Sequence, residues 1–241
     1  MFNSKKISLI LPTYNEKDSI KKVIEDFESL GIIDEIIVIN NNAAEGTSAE
    51  VNQTNAIEIL EPIQGYGSAI MRGFREAKGD LIIVCEPDDT FIANDVHKLL
   101  SYSEDIDIVY GTRTARNFIW QGANMGFLLR WGNVAVAKML EILFNTNQLS
   151  DVGCTYRLVH KRVIDDMLPH LKVKSNFFGP EMMVRGYLMK YKCVQIPVNY
   201  KDRIGISSVT GDLKKAVVLG FQMIFLIISM RFNLQKILFK L

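Results

Sequence analysis

The chain has 241 residues, and its 28 Lys and Arg nearly cancel 27 Asp and Glu, for a formal net charge of +1. That length can bury a full core, and 23% charged residues without a low-complexity tract argues against disordered and fibrous classes. The charge balance argues against a nucleic-acid binder built on a generally basic surface, so no nucleic-acid partner is expected.

The first 110 residues alternate strand and helix signals. Residues 7–11 are a short apolar run that reads as a strand and is too short for a signal-peptide core, so nothing here directs export. Ile20, Val23, Ile24, Phe27 and Leu30 follow at helical spacing, with Gly31 as a stop. Residues 35–39 and 56–60 read as strands two and three. Ile70, Phe74 and Ala77 mark a helix before a fourth strand at 81–85. A helix at 95–102 and a fifth strand at 106–110 complete the pattern. Strands separated by helices imply parallel pairing, hence a doubly wound α/β sheet that binds ligands beyond the carboxyl ends of its strands. Farther on, residues 127–144 read as a long helix, 155–160 as a strand, 180–190 as a helix and 193–198 as a strand. Cys85, Cys154 and Cys193 form no CxxC, and His97, His160 and His170 share no ligand spacing, so neither a disulfide scaffold nor a zinc site is expected.

Residues 1–211 read as one domain and 212–241 as a separate hydrophobic segment. Residues 216–230 carry no charge, with Lys214 and Lys215 before them and Arg231, Lys236 and Lys240 after or beyond. Fifteen residues fall short of the ~20 needed to span a bilayer. Leu234, Ile237, Leu238 and Leu241 repeat at helical spacing, so a surface anchor of two helical pieces is expected. A core helix or a homo-oligomer interface is the alternative.

Three clusters could carry chemistry. Leu11-Pro12-Thr13-Tyr14-Asn15-Glu16 ends the first strand with a rigid Pro, an aromatic face and a carboxylate, or simply caps the next helix. Glu86-Pro87-Asp88-Asp89 ends the fourth strand; carboxylates at alternating positions suit Mg2+ or Mn2+ as well as a helix N-cap. Asp88 is expected to be a solvated loop carboxylate whose removal spares the fold. Gln64-Gly65-Tyr66-Gly67 precedes a helix and holds only part of a glycine-rich phosphate loop. Arg113, Arg130 and Arg157 fall near turns or helix ends, where guanidinium forks suit phosphate oxygens or surface ion pairs.

Taken together, residues 11–16, 38–47, 64–69, 86–88, 111–113, 151–157 and 203–208 resemble, in order and spacing, the family 2 glycosyltransferases of the GT-A fold. The branch they are most similar to is that of dolichyl-phosphate mannose synthase and other polyprenyl-phosphate glycosyltransferases. The resemblance implies an inverting, metal-dependent sugar transfer from a nucleotide diphosphate such as GDP-mannose or a UDP-sugar. Pro12, Tyr14, Glu16, Asn40, Gln64, Gly65 and Glu86 would then bind the nucleotide sugar, with Asn40 facing the base. Glu86 and Asp88 would hold the metal, and Arg113 and Arg130 would meet donor or acceptor phosphate. The sequence departs from the family at Asn40 and Glu86, where Asp is usual, at Ala43 in place of Ser, and at Ser208 in place of Lys. A lipid-phosphate acceptor at the cytoplasmic face of a membrane is the expectation. A glycan hydroxyl with Glu181 as general base, or a catalytically weak nucleotide-sugar binder, are the alternatives.

Overall fold

The computed structural model describes residues 1–123, 125–205 and 213–232. Seven strands form one sheet: β1 (Ile7–Thr13), β2 (Glu35–Asn40), β3 (Ile57–Leu60), β4 (Leu81–Val84), β5 (Ile108–Thr112), β6 (Arg157–His160) and β7 (Cys193–Pro197), in the order β3-β2-β1-β4-β6-β5-β7. β1 and β4 are buried on both faces, which is why they read as unbroken apolar runs rather than as alternating patterns. The helices are α1 (Lys17–Glu28), α2 (Thr47–Val51), α3 (Tyr66–Glu76), α4 (Val96–Tyr102), α5 (Phe127–Phe144), α6 (Lys161–Met167), α7 (Phe178–Leu188) and α8 (Leu213–Arg231). One face of the sheet packs against α1 and α4 through Ile20, Val23, Ile24, Phe27, Val96 and Leu99. The other packs against α3, α5, α6, α7 and α8.

The sheet is mainly parallel, as expected from the alternation of elements, with one strand reversed. β6 runs antiparallel to both β4 and β5, with Ile82 opposite Val159 and Val109 opposite Leu158. The excursion through α5 returns the chain from the opposite end of the sheet and inserts β6 between two strands that run the other way.

The hydrophobic C-terminal segment contributes α8, whose inner face belongs to the domain core. Met223, Leu226, Ile227 and Met230 are buried with Val136, Ala137 and Leu140 of α5 and Met182 and Met183 of α7. Its outer face leaves Val217, Val218, Phe221 and Phe225 exposed. A helix docked on one side and apolar on both explains why the stretch lacks the one-sided pattern of an ordinary surface helix. Among the described residues no helix is long and apolar enough to cross a membrane. The expected stripe from Leu234 to Leu241 lies outside the described residues.

Candidate active site

The carboxyl ends of β1, β4 and β5 converge on one cavity of about 770 Å³. Pro12, Tyr14, Glu16, Gln64, Gly65, Glu86 and Arg113 all line it, although they come from four separate stretches of chain. Asn40, Asp88, Arg130 and Glu181 do not.

Glu16 organises the first turn. Its Oε2 accepts the N–H groups of Tyr14 (2.7 Å) and Asn15 (2.9 Å) and the Thr13 hydroxyl (3.3 Å). Tyr14, left 44% exposed, presents its ring at the cavity edge. Asn40 is engaged elsewhere: its Oδ1 accepts Ala43 N–H at 2.8 Å, and its Nδ2 donates to Glu58 Oε1 at 2.8 Å. The neighbouring Asn41 lines the cavity instead, and its amide holds the following loop by donating to the Glu61 and Ile63 carbonyls, each at 2.8 Å.

Asp88 is only 1% exposed, so the expectation of a solvated loop carboxylate is corrected. Its Oδ1 accepts Thr90 N–H (3.1 Å) and the Thr90 hydroxyl (2.6 Å), and its Oδ2 meets Arg203 Nη1 at 3.0 Å. Arg203 Nη2 donates to Glu16 Oε1 at 2.7 Å, so one guanidinium bridges the two carboxylates. Asp89 pairs outward with Lys22 (2.9 Å) and Lys201 (2.7 Å). Arg203 fell within the stretch that carried the family resemblance, but nothing in its sequence context distinguished it from a surface arginine.

Among the described residues Glu86 lacks such a partner. Desolvation and then the charge of Asp88 push its carboxyl up to about 8, against the opposing pull of Arg203 and Arg113. A carboxyl raised above its unfolded value stabilises the fold fully below that unfolded value and loses the contribution as pH rises through the folded one. The stability of the metal-free protein should therefore decline between about pH 4.5 and pH 8, reading the window from the ordinary and raised values. Glu86→Gln should flatten that decline in urea unfolding followed across the range; an unchanged pH profile would contradict the raised value.

Arg113 is fixed by Asp151. Its backbone N–H, Nε and Nη2 donate to the Asp151 carboxylate at 3.0, 2.9 and 3.0 Å, and its guanidinium lies 5.4 Å from the Tyr200 ring centroid. The fork is thus anchored on one edge while the residue lines the cavity. Arg130 is not brought there: its Nε donates to the Thr114 carbonyl at 2.8 Å beside Trp131. Glu181 is 1% exposed and accepts Lys172 and Val173 N–H groups at 2.8–3.1 Å. Burial raises its pKa while those bonds oppose the rise. It braces the loop before α7 and is not presented to the cavity, so the geometry does not favour it as a general base.

Among the described residues no three His, Cys, Asp or Glu side chains form a ready metal cage. Glu86 and Asp88 nevertheless suit a hard divalent ion. They are oxygen donors two residues apart, one of them already held against a cation and the other short of one. An ion bound by few protein ligands takes its remaining oxygens from water and phosphate.

The sequence model of the family described as Glycosyl transferase family 2 matches residues 8–168. Among solved structures, the chain is similar to the glucosyl-3-phosphoglycerate synthase of Mycobacterium tuberculosis in complex with Mn2+, uridine diphosphate and phosphoglyceric acid. That match has 16% identity and a TM-score of 0.72, and it covers 95% of this chain and 78% of that one. The same enzyme with phosphoglyceric acid alone matches at 16% identity and a TM-score of 0.74, over 95% and 80% of the two chains. Its complex with Mn2+, UDP-glucose and phosphoglyceric acid matches at 15% identity and a TM-score of 0.69, again over 95% and 80%. These likenesses show the fold: an α/β sheet, mostly parallel and flanked by helices, of the GT-A kind.

Proposed function

The chain belongs to glycosyl transferase family 2, and on that premise we propose that it moves a sugar from a nucleoside-diphosphate sugar to a lipid phosphate at the cytoplasmic face of a membrane. The observation that carries the acceptor is the shape of the cavity. One part of its lining is polar, at Glu16, Glu86, Arg113 and Arg203; the other end is lined by Leu128 of α5 and Val217 and Phe221 of α8. Phe127, Leu128, Trp131, Val218 and Phe221 surround that end as exposed apolar side chains. A phosphate bearing a long apolar tail satisfies both ends at once.

The residues divide the work accordingly. Tyr14 and the turn held by Glu16 receive the nucleotide. Glu86 and Asp88 would hold Mg2+ or Mn2+, which neutralises charge on the leaving diphosphate when bound. Arg113, oriented by Asp151, aligns the acceptor phosphate for in-line attack on the anomeric carbon. A phosphate oxygen forms the new bond as the sugar–diphosphate bond breaks. An anionic phosphate needs no strong base, which accords with a cavity to which Glu181 is not presented. Support for a UDP-linked donor and a phosphate-bearing acceptor comes from the mycobacterial enzyme, solved with UDP-glucose and phosphoglyceric acid. GDP-mannose is the other donor to be offered.

Purified protein with Mn2+ and labelled UDP-hexoses or GDP-mannose should transfer sugar to polyprenyl phosphate in preference to phosphoglycerate or a glycan hydroxyl. Transfer to phosphoglycerate alone would overturn the lipid reading and leave a soluble phosphorylated acceptor. The outer face of α8 would rest on the bilayer. Failure of the full chain to float with anionic vesicles, together with a dimer in solution, would reassign that face to a homo-oligomer.

A further inference from the structure

Asp88 does not line the cavity, whereas Arg203, which meets it at 3.0 Å through Nη1, does. The other arm of the same guanidinium reaches Glu16 Oε1 at 2.7 Å. We infer that Arg203 guards the metal-binding carboxylates and makes divalent-ion binding conditional on the diphosphate of the nucleotide. The inference rests on the reading of Glu86 and Asp88 as the metal site and adds the residue that ties the ion to the nucleotide.

The bonds of Asp88 leave an ion one way in. Its Oδ1 already accepts two bonds from Thr90, one for each lone pair, so Oδ2 is the oxygen left for a metal. That is the oxygen on which Arg203 rests. An ion taking Oδ2 would share it with a guanidinium, and two cations on one buried oxygen repel with little screening by water.

The other cations around the site are committed. Asp89 is matched by Lys22 and Lys201, and Arg113 is bound to Asp151 through three bonds. Glu16 and Asp88 share Arg203, whose charge also reaches Glu86. A diphosphate brings further negative charge to this end of the cavity and offers the guanidinium oxygens of its own. Both cations then have anionic partners, and Asp88 Oδ2 is released to the ion.

The backbone that carries Arg203 is fixed on both sides. Lys201 N–H donates to the Thr90 carbonyl at 2.9 Å, and Ile204 N–H donates to the Asp88 carbonyl at 3.1 Å. Just before them, Tyr200 N–H donates to the Phe118 carbonyl at 2.9 Å, and the Tyr200 carbonyl accepts Trp120 N–H at 2.8 Å. The segment therefore keeps its course while the guanidinium exchanges partners by a change of side-chain rotamer.

The test measures UDP affinity by calorimetry with and without Mn2+, and the Mn2+ affinity of the nucleotide-free protein by electron paramagnetic resonance of the free ion. Wild type is compared with Arg203→Gln, which drops the charge and keeps a donor, and with Arg203→Lys, which keeps the charge. Arg203→Gln should bind Mn2+ alone about tenfold more tightly. The gain in UDP affinity that Mn2+ brings should shrink by a similar factor, because coupling between two ligands is reciprocal. Arg203→Lys should stay close to wild type on both counts. An arginine that merely braces the fold would alter stability and leave this coupling alone. Mn2+ affinity and coupling within twofold of wild type in the Gln variant would therefore overturn the inference. Wild type carries a test of its own, independent of how the variants fold: Mn2+ that binds the free protein yet leaves UDP affinity unchanged would also overturn it. No Mn2+ bound by any of the three proteins, with or without UDP, would instead overturn the metal site itself.

Discussion

Asp88→Asn should lower sugar transfer by about two to three orders of magnitude and remove the dependence of nucleotide binding on Mn2+. The substitution keeps the size of the side chain and can keep the bonds from Thr90 to Oδ1, so the loop after β4 retains its shape. It deletes the charge facing Arg203 Nη1 at 3.0 Å, and with it half of the carboxylate pair available to a divalent ion. Asn is a cleaner variant than Ala because Asp88 is buried, and a truncated side chain would leave Arg203 with Glu16 alone. Transfer rates and Mn2+ titrations of nucleotide binding check the result. Mn2+ dependence within twofold of wild type would remove Asp88 from the metal site.

Asp151→Ala should cost about 3–5 kcal/mol of folding stability, the scale for breaking one side of a buried ion pair. The Asp151 side chain is fully buried and collects three bonds from Arg113 and one from Gly153 N–H. Burial alone would raise its pKa, but the charge and hydrogen bonds of Arg113 outweigh burial and hold it below the ordinary value. A depressed carboxylate contributes stability above its unfolded value, near 3.8, and loses it as pH falls through the lower folded value. The deficit of the variant should thus be full at neutral pH and shrink in acid. Urea unfolding at pH 7 and at pH 3 reads both. A loss under about 1 kcal/mol at pH 7 would mean that Arg113 finds another partner. Transfer should fall as well, since the arginine loses the anchor that aims it.

Much of the fold was legible because its strands are short apolar runs closed by polar clusters. Ile7 to Leu11 and Leu81 to Val84 could hardly be anything but buried strands, and Gly31 and Gly79 punctuated the helices between them. The antiparallel β6 was not legible. A four-residue strand carries no mark of its direction, which the path of α5 decides. In the site, Pro12, Tyr14, Glu16, Gln64, Gly65, Glu86 and Arg113 could be chosen because they follow strands at the carboxyl edge. Asn40 sits at such an edge too, yet Glu58 on the next strand draws its amide away, a cross-strand contact that a linear motif does not encode. Arg130 and Glu181 were chosen by residue type, and each satisfies a nearby backbone group instead.

The insertion of β6 has a kinetic side. β3, β2, β1 and β4 pair among themselves using the first third of the chain. β5 and β7 reach that sheet only through β6, and β6 must travel back from beyond α5 to lie against β4. Long-range pairing pays its loop-closure entropy before any contact repays it; the first half does so once, at β1–β4, and the second half twice, at β4–β6 and β5–β7, so the second half of the sheet is the slow half to assemble. Within the sheet the two halves join only through the β4–β6 pairing, which makes that seam the natural boundary between two cooperative units. The cavity straddles that boundary, with Glu86 on one side and Arg113 and Thr155 on the other. A ligand that touches both sides therefore acts as a clasp across the seam, and nucleotide-sugar binding and closure of the sheet become one linked equilibrium.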